Sequence, residues 1–348
     1  MLAALLQAPG NLQLENRDIP QAGPGEVVIK VEANTICGTD LRLYTGEKTS
    51  GVRYGVVPGH EIAGRVFEIG EGVTQFYPSL TVGTQATISI VLACGICSQC
   101  LADREHYCEN MELFGYNIDG GLQEYLVVPA KAVRRGNLFP VSTPLPPAHL
   151  CLAEPISCCI NGMNNFGVNL GETIVILGAG PIGLIQVQLA LLAGAGQVII
   201  SNRSAARREM AEQFGATAVH PDFLEKTVFQ MTAGRGADVV IQCIGVPDLA
   251  GLALQLVRKG GRVNYFAGFP KGSTSTLDMN LIHYNDITVT GGSNARRRDV
   301  AKAIDLLQSG QINVDTFITH EFALADVAGA FATVKNREGI KVAVRPHQ

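Results

Sequence analysis

The sequence has no tryptophan, and only 17% of its 348 residues are charged. Neither charge sign is in large excess: the net charge is -4 and the pI is near 6.0. That balance excludes a general electrostatic pull toward nucleic acid or an anionic membrane. No basic region precedes the short apolar start MLAALLQAPG, and Pro9-Gly10 ends it at once, so no signal peptide is expected. There is no internal repeat and no low-complexity tract. The long uncharged run from Thr173 to Asn202 is cut by GAGPIG and flanked by β-branched clusters. That is the pattern of buried strand, helix and buried strand, not of a membrane span. These absences leave a cytoplasmic protein with a small-molecule ligand and no nucleic-acid or membrane partner.

What is present begins with size. A chain of 348 residues, 47% hydrophobic with 39 glycines, suits two domains. Up to about residue 150, short alternating segments such as VVIKVEANTI, IAGRVFEIG, TQATISIV and LQEYLVVPA are separated by Gly, Pro and Asn clusters. They predict an irregular antiparallel β domain. The proline-rich LFPVSTPLPPAHLCLAEP reads as a linker entering helices. From about 172 the pattern becomes strand-helix alternation, with strands at TIVILGA, QVIISN, DVVIQCIG, RVNYFAG and ITVTGG. Helices are expected at GLIQVQLALLAG, AARREMAEQFG and DLAGLALQLVRKG, and in the 222–232 region. This alternation predicts a doubly wound parallel sheet, an α/β fold. Elements after Asn294 either extend that sheet or return to the first domain.

Nine cysteines, an odd number, disfavour a disulfide framework and suggest a reducing compartment. Cys94, Cys97, Cys100 and Cys108 stand at C-x2-C-x2-C-x7-C. Four soft ligands at short spacing let one lobe wrap a tetrahedral zinc and leave no open position, so this metal is expected to be structural. An iron–sulfur cluster is the rival reading, although no proline follows the fourth cysteine. Cys151, Cys158, Cys159 and Cys243 are expected to pack as small apolar residues.

A second group of donors is Cys37 in ICGTD, His60-Glu61 in PGHEIAGRVFEIGEGV, and Glu154 in LAEPIS. Three protein ligands plus water make a catalytic zinc site. Through Gly59, His60, Glu61, Gly64, Gly70 and Val73 the second stretch matches G-H-E-x2-G-x5-G-x2-V. With C-G-T-D upstream and the cysteine lobe downstream, the chain resembles the zinc-containing medium-chain alcohol dehydrogenases over nearly its whole length. Glu154-Pro155 resembles the polyol, threonine and sugar-alcohol-phosphate branch. The resemblance implies a GroES-like catalytic domain over 1–154 and 295–348, carrying the zinc lobe 94–108, and a Rossmann domain over 155–294. It implies that Cys37 and His60 bind the catalytic zinc, with one of Glu61 and Glu154 ligating and the other reaching it directly or through water. Thr39 would hydrogen-bond the substrate oxygen and start a proton relay, and Asp40 would orient the site. A homodimer or homotetramer is implied as well.

VILGAGPIG places Gly178, Gly180 and Gly183 in G-x-G-x-x-G, with Pro181 and Ile182 opening the helix that faces the pyrophosphate. The following strand closes at Ser201-Asn202-Arg203, with Arg207 and Arg208 one turn on. An acidic residue normally grips the adenosine ribose there; its absence beside these arginines favours NADP(H) over NAD(H). The expected activity is hydride transfer between NADP(H) and a secondary alcohol or ketone: a polyol, sugar alcohol or sugar-alcohol phosphate. An NAD-dependent enzyme acting on another alcohol such as L-threonine is the alternative, and a non-catalytic nucleotide-binding relative is a further one. Candidate pocket residues are Arg42, Tyr44, Lys48, Arg53, Tyr54, Phe114 and Tyr116. Sorbitol-type enzymes carry an Arg-Tyr pair where this chain has Asn294-Ala295 and then Arg296 to Arg298.

Overall fold

In the computed structural model, which describes residues 1–348, Val27–Ile36 and Glu61–Ile69 pair antiparallel within a seven-stranded sheet. Val27, Ile29, Val31, Ile62 and Val66 from these strands are buried in the main apolar cluster. Such β-branched residues fit a pleated, covered face. Gln85–Ile88 and Leu138–Pro140 extend the sheet on one side, Lys341–Arg345 and Ile318–Ala323 on the other, and Tyr125–Val128 pairs with Val27–Ile36. The C-terminal strands thus return to the first sheet. One compact unit comprises Met1–Ser157 and Asn294–Gln348, the other Cys158–Ser293.

The second unit holds six parallel strands. Their spatial order is Thr217–Val219, Gln197–Ser201, Thr173–Leu177, Ala237–Gln242, Val257–Tyr265 and Thr288–Gly291. By chain position this is 3-2-1-4-5-6, the order of dinucleotide-binding sheets, which reverses beside Thr173–Leu177. That strand is buried along its whole length, as its uncharged sequence requires.

Helix positions follow the apolar periodicity, with one correction. The helix expected to reach Gly260 ends at Leu256, and Val257–Tyr265 is already strand. The β-branched Val257 and the Gly260-Gly261 pair stop the helix sooner than its leucines suggest. The helix Met279–Asn285 and the short strand Thr217–Val219 carry no strong periodic signal. No helix is long and apolar enough to cross a membrane.

Candidate active site

Strand Val27–Ile36 delivers Cys37, the N-cap of the helix Gly38–Thr45. Asp40 closes a capping box, its carboxylate accepting the Cys37 backbone N–H at 2.9 Å. The same carboxylate lies 3.0 Å from His60 Nδ1. That contact fixes the ring while its other side meets Cys37, the arrangement that orients metal-binding imidazoles. Burial works against a charged His60, but the Asp40 carboxylate outweighs it and holds the imidazole well above its usual range.

The register Thr35↔Glu61 sets the start of the neighbouring strand beside Cys37. The donor atoms of Cys37, His60 and Glu61 all lie within 4.8 Å of one another. His60 and Glu61 are buried. A convergent thiolate, imidazole and carboxylate is the donor chemistry of a catalytic zinc centre. Behind them, Lys341 Nζ donates to both Glu61 oxygens and to the Ile36 carbonyl, and Thr35 Oγ1 donates to Glu61 Oε2. Burial lowers the Lys341 pKa, but Glu61 overcomes it and the ammonium titrates above its ordinary value. Nothing in the local sequence marks Lys341 or Thr35; Lys341 and Glu61 are 280 positions apart.

Glu154 stands in the first turn of the helix Ala153–Phe166. Its charge acts on Tyr116 and Lys341, but its carboxylate is outside the 4.8 Å group. Thr39 Oγ1 accepts from Arg42 at 3.2 Å. The Tyr116 ring lies 5.5 Å from the His60 ring, and Lys48 Nζ sits 5.2 Å from the centre of Tyr116. Burial raises the Tyr116 phenol despite His60, which opposes it.

The other pocket candidates are used elsewhere. Phe114 is fully buried core, the Tyr44 ring packs tilted against Phe331 at 5.4 Å, Arg53 reaches Asp119 at 3.5 Å, and Tyr54 is exposed. Arg296, Arg297 and Arg298 pair with Asp299, Glu105 and Asp103, so they anchor the cysteine lobe and the start of the helix Arg297–Gln308.

In that lobe the sulfurs of Cys97 and Cys100 are 3.5 Å apart, Cys97 and Cys108 3.9 Å, and Cys94 and Cys100 4.0 Å. A tetrahedron with Zn–S bonds of about 2.3 Å has an edge of about 3.8 Å. The four sulfurs therefore fit one zinc ion, whereas an iron–sulfur cluster would hold its thiolates further apart. Backbone N–H groups of Cys94 and Gly95 donate to Cys108 and Cys100. Of the remaining cysteines, Cys151 and Cys243 are held up by burial as neutral thiols.

In the parallel sheet, Gly178 has φ 106°, and a Cβ at Gly183 would lie 1.9 Å from the Gly178 carbonyl oxygen. Only glycine lets strand and helix approach so closely. A Cβ at Gly180, the N-cap of the helix Pro181–Leu192, would meet nothing within 4 Å. That open face at a helix N-terminus, with Pro181 and Ile182 leading the helix, fits a pyrophosphate. The next strand ends at Ser201. Asn202 Oδ1 accepts the Ser204 N–H at 2.9 Å in an Asx turn, Arg203 is exposed, and Arg208 donates to the carbonyls of Asn202 and Arg203.

A β unit with two metal-donor sets, joined to a parallel sheet with a dinucleotide turn, defines a metal-dependent, nicotinamide-linked oxidoreductase. The chain belongs to the zinc-binding medium-chain dehydrogenase family and is a zinc-containing, NAD(P)-dependent alcohol or polyol dehydrogenase. Residues 23–137 match the alcohol dehydrogenase GroES-like domain and residues 181–309 the zinc-binding dehydrogenase domain. An L-threonine 3-dehydrogenase of Pyrococcus horikoshii is 36% identical, over 92% of this chain and 91% of that one. A sorbitol dehydrogenase of Halalkalibacterium halodurans is 30% identical, over 97% and 96%. A chain from Sinorhizobium meliloti, solved bound to NADP, is similar with a TM-score of 0.90 and 34% identity, covering 99% of both chains.

Proposed function

We propose that the protein interconverts a secondary alcohol and a ketone with NADP(H), its substrate a polyol, a sugar alcohol or a phosphate of one. The observation that carries the reaction is the convergent Cys37–His60–Glu61 group, its imidazole and carboxylate buried and Asp40 behind the imidazole. Cys37 and His60 would hold the catalytic zinc, with Glu61 and Glu154 sharing the remaining donor role; Cys94, Cys97, Cys100 and Cys108 would hold the structural one. When bound, zinc acts as a Lewis acid on a carbinol oxygen and the nicotinamide exchanges hydride with the carbon. Asp40 keeps His60 in one orientation. Thr39 accepts a hydrogen bond from Arg42, which leaves its own proton and second lone pair for the substrate hydroxyl.

The NADP(H) preference is supported by the end of the strand Gln197–Ser201. Asn202 stands where a carboxylate would repel a 2′-phosphate, its side chain is turned into the loop, and Arg203 is exposed beside it. The related Sinorhizobium meliloti chain binds NADP. Arg203→Ala should weaken NADPH by about tenfold or more while NADH changes little, as loss of one charge-assisted contact would do. Equal losses, or kcat/KM for NADH at or above that for NADPH in the unaltered protein, would overturn the preference. The family resemblance also supports a homodimer or homotetramer, which sedimentation would read.

A further inference from the structure

Arg42 and Lys48 stand near the donor group without a carboxylate partner. Arg42 reaches the Thr39 hydroxyl at 3.2 Å, and Lys48 is held over the Tyr116 ring, whose other neighbour is His60. Lys48 is anchored by its own backbone N–H, which donates to the Arg42 carbonyl at 3.0 Å. Neither side chain forms an ion pair, although acidic residues are near. Asp40 is committed to His60 and the Cys37 N–H, and Glu61 to Lys341 and Thr35. Arg53, the third basic residue of this stretch, is drawn off by Asp119. Two adjacent cations, one half-buried, have the Cys37 sulfur as a nearby negative charge but no paired carboxylate, so an anionic ligand beside them would be favoured.

We infer that Arg42 and Lys48 form an anion subsite of the substrate pocket, and that the substrate carries a phosphate or carboxylate near the carbinol that reacts. This rests on the dehydrogenase reading and narrows it: among alcohols of similar size, the anionic ones are taken. Lys48 meets the anion as a point charge over an aromatic face, and Arg42 couples it to Thr39, the residue next to the reacting hydroxyl.

The test uses metal-replete protein and matched ligands: a neutral pentitol against its terminal phosphate, and 2,3-butanediol against L-threonine. Inorganic phosphate and acetate serve as probes in equilibrium binding. One anionic member should exceed its neutral partner in kcat/KM, and which one distinguishes phosphate from carboxylate. Lys48→Ala should cut that preference by about tenfold or more, the range of a charge-assisted hydrogen bond, with Lys48→Arg recovering most of it. The same substitution should weaken the matching inorganic probe. Equal loss on neutral and anionic alcohols, or a loss confined to cofactor affinity, would overturn the subsite. If no alcohol reacts with either cofactor, the proposed substrate class falls, and the binding of phosphate and acetate still decides the subsite by itself.

Discussion

Lys341 and Glu61, 280 positions apart in sequence, form an ion pair at the back of the metal-donor group, with Glu61 fully buried and Lys341 5% exposed. The pair neutralises the one carboxylate of the donor group and ties the last strand to the strand beginning at Glu61. Removing one partner leaves the other charged in the interior, which typically costs about 3–5 kcal/mol. Lys341→Met should therefore lower the denaturation midpoint strongly, and adding Glu61→Gln should restore much of it. A double variant no more stable than Lys341→Met would show that the pair is not what holds this region.

Asp40 should govern metal affinity through His60. Asp40→Asn keeps a hydrogen-bonding side chain but loses the charge that makes the imidazole a better ligand. Competition with a chelator should show zinc at the catalytic site bound about 10–100-fold more weakly, with the cysteine site unaffected. Equal weakening at both sites would point to general unfolding.

The two donor sets predict a zinc content near two per chain, in keeping with the two groups. Cys97→Ser should remove one of them and expose the lobe to proteolysis, because four thiolates are its main internal tie. His60→Ala should remove the other ion and leave the lobe resistant. Metal analysis with limited digestion separates the two results.

Acid should loosen the parallel-sheet unit through Glu172. Its carboxylate accepts from the Asn169 N–H at 2.7 Å and pairs with Arg262. Burial raises its pKa, but Arg262 and Asn169 more than reverse that and hold it below the usual carboxylate range. The folded value is thus the lower one. Its stabilisation is present above the unfolded pKa, about 4.3, and is lost as pH falls through the folded value. Glu172→Gln should destabilise the protein clearly at pH 7 and much less at pH 3; an equal shift at both would refute the link.

Gly183→Ala probes the dinucleotide turn. The added Cβ would meet the Gly178 carbonyl, which is backbone and cannot step aside. NADPH binding should fall by at least about tenfold, while the cysteine lobe keeps its metal. Unchanged cofactor affinity would mean that the turn has another conformation in solution.

Much of the site was legible because its chemistry lies in short motifs. Cys37 to Asp40 is one helix start, His60-Glu61 one strand start, and the cysteines one loop, so spacing alone brings their donors close. The parallel sheet was readable because strands covered on both faces must be apolar throughout. What the sequence hid depends on long-range pairing. Lys341 looks like any lysine before a strand until the register places it on Glu61. Arg53 resembles Arg42 and Lys48 in type and neighbourhood, and only the fold hands it Asp119. Arg297 and Arg298 stand where sorbitol-type enzymes carry a substrate residue, yet their partners Glu105 and Asp103 lie in the distant lobe. Asn202 was noticed for the carboxylate it lacks; its use in an Asx turn is backbone geometry, which residue type alone does not reveal.

The latch between the lobe and Arg297 has a consequence for synthesis. Glu105 and Arg297 are 192 residues apart, so at about 5–20 residues per second the lobe leaves the ribosome about 10–40 s before its partner is made. During that interval the lobe lacks this latch, and its four thiols are held by the backbone N–H groups of Cys94 and Gly95 and by any zinc they capture. The newborn chain therefore passes through a stage in which oxidation and metal supply compete for the same sulfurs, and early zinc capture protects a segment that the finished fold would later secure.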